Sequence, residues 1–154
     1  MSEKLKPRIG VFRIDDQLPL DEGWEKMPYP DPISKSDPWT VGVGHTGPDV
    51  IPGQEWSDDK IRTVFNKDLL IAKGDLQRNF PFVTTLDPAR RGVFENMCFQ
   101  LGITKLRKFA KMWAAARNFD WETAAAEALD SAWARQTPER AKRLAEQLKT
   151  GIWY

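Results

Sequence analysis

The sequence has little of what disulfide-stabilised and zinc-binding proteins need. Its 154 residues include one cysteine, Cys98, and one histidine, His45. A single cysteine cannot form an intramolecular disulfide, and one cysteine with one histidine excludes the common zinc-binding patterns. A chain of this length buries about 68–70% of the surface that its unfolded form exposes, so one domain can fold without such supports. We therefore expect a single domain, residues 1–154, with no metal and no cofactor.

Long apolar runs and an excess of one charge are also missing. No window approaches the roughly 18 apolar residues that a membrane helix needs. The first residues lack the apolar core of a signal peptide or an N-terminal anchor. The net charge is +1, from 23 Lys and Arg against 22 Asp and Glu, and this gives no electrostatic basis for binding nucleic acid. We expect no nucleic-acid partner, no stable membrane insertion, and synthesis that leaves the protein in the cytoplasm.

The prolines divide the chain. Eight of the eleven lie before residue 57, and proline disfavours long helices while favouring turns and short strands. Residues 39–45 alternate apolar or aromatic residues with threonine and glycine, a period of two that predicts one strand of a small sheet. Gly42 and Gly44 leave one face of that strand bare, which suits a substrate or the close approach of another part of the chain.

From residue 57 onward the signals are those of helices. Ser57 caps a predicted long helix, 57–80, whose apolar residues repeat with a period near 3.6. The pair Asp87-Pro88 predicts the start of a second helix, which closes at Gly102. Three further helical segments are predicted to begin at Thr104, at Asp120 (running through Trp133) and at Thr137.

These patterns predict an α+β fold. The small N-terminal antiparallel sheet lobe covers residues 1–56 and is rich in loops. The linking helix covers 57–80, and a larger C-terminal helical bundle covers 81–154.

Residues 22–45 are dense in groups that can do chemistry. Cleavage of a glycosidic bond needs one carboxylic acid to protonate the leaving oxygen and a second carboxylate to handle the developing cation or its attacking water. Glu22 and Asp31 are candidates for this pair. Taken alone they prove little, because the chain has 22 acidic residues and most such residues are solvated surface groups.

The surrounding motifs are more specific. Glu22-Gly23, Tyr29, Asp31 and the run Trp39-Thr40-Val41-Gly42-Val43-Gly44-His45 resemble the active-site signature of the bacteriophage lysozyme family, the phage-type muramidases of glycoside hydrolase family 24. The helical half is similar to the family in five further stretches: 65–68, 96–102, Trp133, 136–143 and 150–153. The resemblance covers residues 20–154 and implies a lysozyme-like fold.

The resemblance also implies a catalytic set. Glu22 matches the family's general acid, Asp31 its second carboxylate, and Thr40 the hydroxyl that places the attacking water. Such enzymes hydrolyse the β-1,4 bond between N-acetylmuramic acid and N-acetylglucosamine in bacterial peptidoglycan with inversion, so a water rather than a covalent intermediate is expected at Asp31. Thr40 suits that role because a hydroxyl both donates and accepts a hydrogen bond. The alternative is that Thr40 has no catalytic role and is present because threonine favours β-strands.

Other matched residues are expected to support the site or bind the saccharide. Arg140 resembles the family's arginine that pairs with the catalytic acid, although a neighbouring guanidinium favours the ionised form of an acid that must hold its proton. His45 matches a histidine that pairs with an aspartate on the long helix, here Asp68, in a structural role. Thr46 and Phe99 match positions that touch the saccharide in the family. Gln100, Gln136 and Thr137 match positions near the cleft, where they would hydrogen-bond sugar amides or orient Arg140. Packing in the core is the alternative role for Phe99, and capping of the last helix is the alternative role for Thr137.

Two departures from the family pattern stand out. The stretch between Asp31 and Thr40 is longer, which weakens the placement of these two residues relative to Glu22. Pro19 interrupts the helix that leads into the acid, and this predicts an irregular entry or one short turn.

The implied biology is that of a monomeric phage endolysin. It would be made in the host cytoplasm and would reach the periplasm and cell wall through a holin at lysis. A tail-associated or secreted antibacterial lysozyme is an alternative with the same chemistry. A wall-binding or virion structural module that has lost turnover is an alternative of another class.

Overall fold

The computed structural model describes residues 4–154, and these fall into two compact units. One unit is Leu18–Ile71, and the other combines the described residues up to Gln17 with Ala72–Tyr154. The architecture is α+β and lysozyme-like, as predicted. Its elements in chain order are α1 Ile14–Glu22, β1 Glu25–Tyr29, β2 Thr40–Gly42, β3 His45–Thr46, α2 Asp58–Asn79, a 3₁₀ helix Pro81–Thr85, α3 Pro88–Leu101, α4 Ile103–Leu106, α5 Ala110–Arg117, α6 Trp121–Leu129, α7 Ala132–Gln136 and α8 Pro138–Thr150.

The sheet lies in the Leu18–Ile71 unit and has the antiparallel order β1-β2-β3. Tyr29 faces Thr40 across β1 and β2, and Val41 faces His45 across β2 and β3. The prediction of one continuous strand over 39–45 was therefore wrong, because the chain reverses within it. Gly42 and Gly44 have φ values of +66° and +65°, a left-handed conformation that turns the backbone instead of extending it.

The expected irregular entry before Glu22 was also wrong, because α1 is a helix of nine residues that contains Pro19. Proline removes a single N–H from the helix, and the bonds on either side persist. The amide of Gln17 donates to the carbonyl of Arg13 at 3.1 Å, and the amide of Gly23 donates to the carbonyl of Pro19 at 2.9 Å. Leu18 is fully buried, so packing of the helix offsets the missing bond.

Two predicted helices are confirmed together with their caps. The long helix α2 follows Ser57, whose Oγ accepts a hydrogen bond from the amide of Lys60 at 3.1 Å. Helix α3 follows Asp87, whose carboxylate accepts from the amide of Arg90 at 3.1 Å, and it ends before Gly102. Each cap satisfies an amide that a helix start would leave without a partner.

The segment predicted to begin at Thr104 is in fact two short helices, and Thr104 lies inside α4 rather than capping it. The chain tightens after α4, where the amide of Phe109 donates to the carbonyl of Leu106 at 3.2 Å. The indole Nε1 of Trp113 donates to the same carbonyl at 2.9 Å. The Leu106 carbonyl accepts from these two donors instead of from the amide of Ala110, as a continuing α-helix would require. The next helix, α5, therefore begins at Ala110.

The segment predicted to run from Asp120 through Trp133 is likewise divided. Asp120 caps α6 as expected, but that helix ends at Leu129. Ser131 then starts α7, because its Oγ accepts from the amide of Ala134 at 3.1 Å. Because Ser131 caps a new helix start, the apolar pattern from 120 to 133 is divided between two helices. The last predicted helix is α8, which ends at Gly151 with φ +72°, as expected for a left-handed C-cap.

The core of the unit that holds Ala72–Tyr154 contains a cluster of stacked aromatic rings. The Trp113 ring stacks on Phe80 at a centroid distance of 3.7 Å and on Phe94 at 4.5 Å. Stacked, fully desolvated rings dominate the energetics of a core of this size. Because α3 supplies Phe94 and lies across this core, the polar residues Asn96 and Gln100 on the same helix are held on a rigid element. No helix among the described residues combines the length and the apolar character that crossing a bilayer requires.

Candidate active site

The carboxylate of Glu22 lies against the turn between β2 and β3. Glu22 is the last residue of α1, and Gly23 (φ +90°) turns the chain into β1. A Cβ atom placed on Gly44 would lie 2.6 Å from Oε2 of Glu22, closer than atoms can approach without moving. Glycine at 44 therefore serves two purposes, since it adopts the positive φ of the turn and leaves room for the acid.

The bare strand face expected at the two glycines is therefore filled by the protein itself. Glu22 occupies the space beside Gly44, and the side chain of Ile61 lies beside Gly42, where a Cβ atom would come within 3.2 Å of Cγ2. Of the two interpretations of these glycines, the close approach of another part of the chain is the one observed.

Tyr29 belongs to the same group of residues. Burial raises the pKa of the Tyr29 phenol, and the negative charges of Glu22 and Glu25 raise it further, against a hydrogen bond with Thr40 that lowers it. The Tyr29 phenol thus interacts with the charge of Glu22 and with Thr40, all within one unit. Tyr29 is part of the family-like signature, but the sequence predicts no role for it. Its register opposite Thr40 shows that it belongs to the candidate site.

Asp31 follows β1 and organises the long loop before β2. Its Oδ1 accepts hydrogen bonds from the amides of Ile33 at 2.9 Å and Ser34 at 2.8 Å. These backbone bonds, first from Ser34 and then from Ile33, lower the pKa of the Asp31 carboxyl. The loop also closes on the Asp31 backbone, because the amide of Lys35 donates to its carbonyl at 2.9 Å. The additional residues therefore fold around Asp31 and hold it as a carboxylate.

His45 uses both ring nitrogens within the protein. Nδ1 lies 2.6 Å from Oδ2 of Asp68, and Nε2 lies 2.9 Å from Oδ1 of Asp49. Burial works to lower the pKa of His45, but the hydrogen bonds and charges of Asp68 and Asp49 together raise it above its ordinary value. The predicted contact with Asp68 is present, and a second carboxylate, Asp49, joins it. This geometry fits a structural group that ties β3 to α2.

Arg140 is buried in the other unit, where its side chain is 8% exposed. Its Nε and Nη2 both donate to Oδ1 of Asn96, at 3.0 and 2.8 Å. Two bonds to one oxygen fix the plane of the guanidinium. Asn96 lies in the family-like stretch 96–102, and the sequence predicts no role for it.

Three predicted saccharide residues gather around Trp133. Oε1 of Gln100 accepts from the indole Nε1 of Trp133 at 2.8 Å. Thr137 stands at the N-cap position of α8, but its hydroxyl donates to the carbonyl of Trp133 at 3.0 Å and makes no capping bond. Gln136 and Trp133 line a cavity of about 580 Å³ together with Phe109, Lys105, Lys108 and Glu127.

The last two predicted residues differ in their surroundings. Phe99 is partly buried and packs against the hydrophobic core, which agrees with the packing interpretation. Thr46 is exposed on β3 and faces Thr40 in the sheet. The Leu18–Ile71 unit thus holds the three predicted catalytic residues, and Gln100, Gln136 and Thr137 are assembled around Trp133 in the other unit. The roles of all these residues stay predictions.

Comparison with known proteins places these features in a family. The family model described as "Phage lysozyme" matches residues 20–149. The chain is 26% identical over 166 residues to "Probable T4-type lysozyme 2" of Dictyostelium discoideum, an alignment that covers 92% of this chain and 96% of that protein. It is 27% identical to "Probable T4-type lysozyme 1" of the same organism, with the same coverage. It is also 27% identical to "Pre-baseplate central spike protein Gp5" of Enterobacteria phage T4, over 92% of this chain and 27% of that protein.

Proposed function

The chain belongs to the phage lysozyme family, and from that membership we propose that it hydrolyses the β-1,4 bond between N-acetylmuramic acid and N-acetylglucosamine in peptidoglycan, with inversion. The family and its T4-type lysozyme relatives support a lysozyme-type hydrolase. The observation that carries the proposal is the Glu22 carboxylate, which lies against Gly44 in the turn between β2 and β3 and whose charge acts on the Tyr29 phenol. Gly44 leaves room for this carboxylate in addition to adopting the positive φ of the turn.

In this proposal Glu22 is the general acid that protonates the leaving oxygen. Asp31 is the second carboxylate, and its lowered pKa supports this role because an ionised group stabilises the developing oxocarbenium ion and attracts the proton of an attacking water. Thr40 positions that water, and Tyr29 faces Thr40 across β1 and β2. We assign Arg140 a supporting role as the cation that acts on the acid.

The proposed biological role is host lysis by a monomeric endolysin that is made in the cytoplasm and needs a holin to reach the wall. A second candidate is a virion-associated module, active or inactive. The similarity to a phage protein named as a central spike favours this candidate, because that protein carries the matching region within 27% of its length.

The test is lysis of chloroform-treated Gram-negative cells and of isolated sacculi, followed by turbidity. Wild-type protein should clear both, whereas Glu22→Gln should lose about 10²–10⁴-fold in rate, the usual contribution of a general acid, with an unchanged thermal midpoint. Glu55→Gln, an exposed carboxylate of the same unit, is the matched control and should behave as wild type.

The products separate the remaining possibilities. Hydrolysis leaves a reducing muramic acid end, whereas a transglycosylase leaves an anhydro end. Full activity in Glu22→Gln would overturn the assignment of the acid. A wild-type protein that sediments with sacculi but clears none would instead be a wall-binding module.

A further inference from the structure

Three carboxamides form a continuous chain of hydrogen bonds that ends on Arg140. Gln17, Asn96 and Gln147 are each 0% exposed. Nδ2 of Asn96 donates to Oε1 of Gln17 at 3.0 Å, and Nε2 of Gln17 donates to Oε1 of Gln147 at 2.7 Å. Nε2 of Gln147 then donates to the carbonyl of Ala89 at 2.7 Å. The chain therefore runs from the guanidinium of Arg140 through three side chains to the backbone of α3.

Groups with a fixed polarity stand at both ends of this chain. The Ala89 carbonyl can only accept, and the amide of Tyr154, which donates to Oε1 of Gln147 at 3.1 Å, can only donate. They force Gln147 to present Nε2 to Ala89 and Oε1 to Gln17. The guanidinium of Arg140 also only donates, so Asn96 must present Oδ1 to it. Rotating any one of these buried amides by a half-turn would set donor against donor or acceptor against acceptor.

We propose that Gln17 and Gln147 are positioning residues for Arg140. They act through Asn96: because Oε1 of Gln17 holds Nδ2 of Asn96, Oδ1 of Asn96 is left facing the guanidinium and orients its plane. The inference rests on the proposed function, in which Arg140 supports the acid Glu22. It extends that function to two residues that lie outside the family-like motifs of the sequence.

A polar network can also serve stability alone, and the two roles predict different couplings. If Gln17 only stabilises the fold, its replacement changes the thermal midpoint and leaves lysis unaffected at temperatures well below it. If Gln17 acts through Arg140, its replacement lowers the lytic rate, and that loss disappears once Arg140 is gone. Residues that act as one unit are non-additive in this way.

The decisive experiment is a double-mutant cycle between Gln17→Met and Arg140→Ala, with lysis of sacculi measured at least about 20 °C below each thermal midpoint. Methionine keeps the length of glutamine and removes its donor and acceptor. We expect Gln17→Met to lower the lytic rate about tenfold in the wild-type background and less than about twofold in the Arg140→Ala background. Gln147→Met should give the same pattern, and it serves if Gln17→Met does not fold. Gln77→Met, an exposed glutamine of α2, is the control and should change neither quantity.

A second measurement is independent of lysis. In NMR spectra of the folded wild-type protein, the Nε–H of Arg140 should exchange slowly because it donates to Asn96, and Gln17→Met should speed that exchange about tenfold. If wild-type protein lyses nothing, the proposed function fails while this measurement still decides the positioning role. Unchanged exchange in Gln17→Met, or an equal loss of lysis in both backgrounds of the cycle, would overturn the inference.

Discussion

Replacing Asp68 by asparagine should lower the stability of the protein most in mildly acidic solution. Nδ1 of His45 lies 2.6 Å from Oδ2 of Asp68, and the two side chains are 16% and 25% exposed. The folded-state pKa of His45 is raised. A raised histidine pKa contributes stability that is fully present below the unfolded value of 6.5 and is lost as the pH rises through the folded value. Asparagine keeps a hydrogen-bond acceptor at this position but removes the charge.

The burial of the pair sets the magnitude. Hydrogen bonds to charged groups contribute roughly 1.5–3 kcal/mol when they are well protected, and exposed ion pairs contribute roughly 0.2–1 kcal/mol. The His45–Asp68 pair lies between these cases, so Asp68→Asn should cost about 1–2 kcal/mol near pH 5.5. For a chain of this size that loss lowers the thermal midpoint by about 2–8 °C. Near pH 9 a neutral His45 gains little from the charge, so the loss should fall to less than about half.

The assay is thermal unfolding of wild type and variant, followed by circular dichroism at both pH values. Asp49→Asn is the matched control, because its carboxylate is 50% exposed and contacts the other nitrogen of His45 at 2.9 Å. It should give the same pH dependence with a smaller amplitude. A loss for Asp68→Asn that is equal at the two pH values, or larger in alkali, would refute the role of the charge.

Two further predictions concern single contacts. Gly44→Ala should lower the free energy of unfolding by about 1–2 kcal/mol because of the positive φ at this position. It should also lower the lytic rate, because the new Cβ atom would lie 2.6 Å from Oε2 of Glu22 and displace that carboxylate. Thermal unfolding and the clearance of sacculi measure the two effects, and full lysis would show that this contact is unimportant. Cys98 is buried, and burial chiefly raises the pKa of its thiol to about 11. A disulfide reagent near pH 8 should therefore leave Cys98 unmodified in the native protein and modify it after denaturation. Rapid reaction of the native protein would contradict that burial.

Local chemistry made several boundaries predictable. Ser57, Asp87 and Asp120 each accept a hydrogen bond from an amide three residues further along the chain. Such caps depend on neighbours in sequence alone, so the residue type indicates the helix start. The family-like motifs identified Glu22 as the candidate acid because their residues, 22–45, form one short stretch of the chain.

The sequence misled where a side-chain hydrogen bond or the backbone conformation overrode a local pattern. The alternation over 39–45 predicted one strand, but two glycines in the left-handed region make it a hairpin. The apolar pattern after Gly102 predicted one helix, but the indole of Trp113 takes the Leu106 carbonyl and divides it.

The sequence by itself determined the α+β class, the long helix α2, the starts of α2, α3, α6 and α8, and the identity of the candidate acid, because short-range hydrogen bonding and the order of a motif are written in adjacent residues. The tertiary structure alone decided what surrounds those residues. Gln17 and Gln147 are 130 residues apart in the chain, yet their carboxamides are 2.7 Å apart in the fold. No period or spacing encodes such a contact, since it exists only after packing has excluded water and left each polar group to find its partner within the protein.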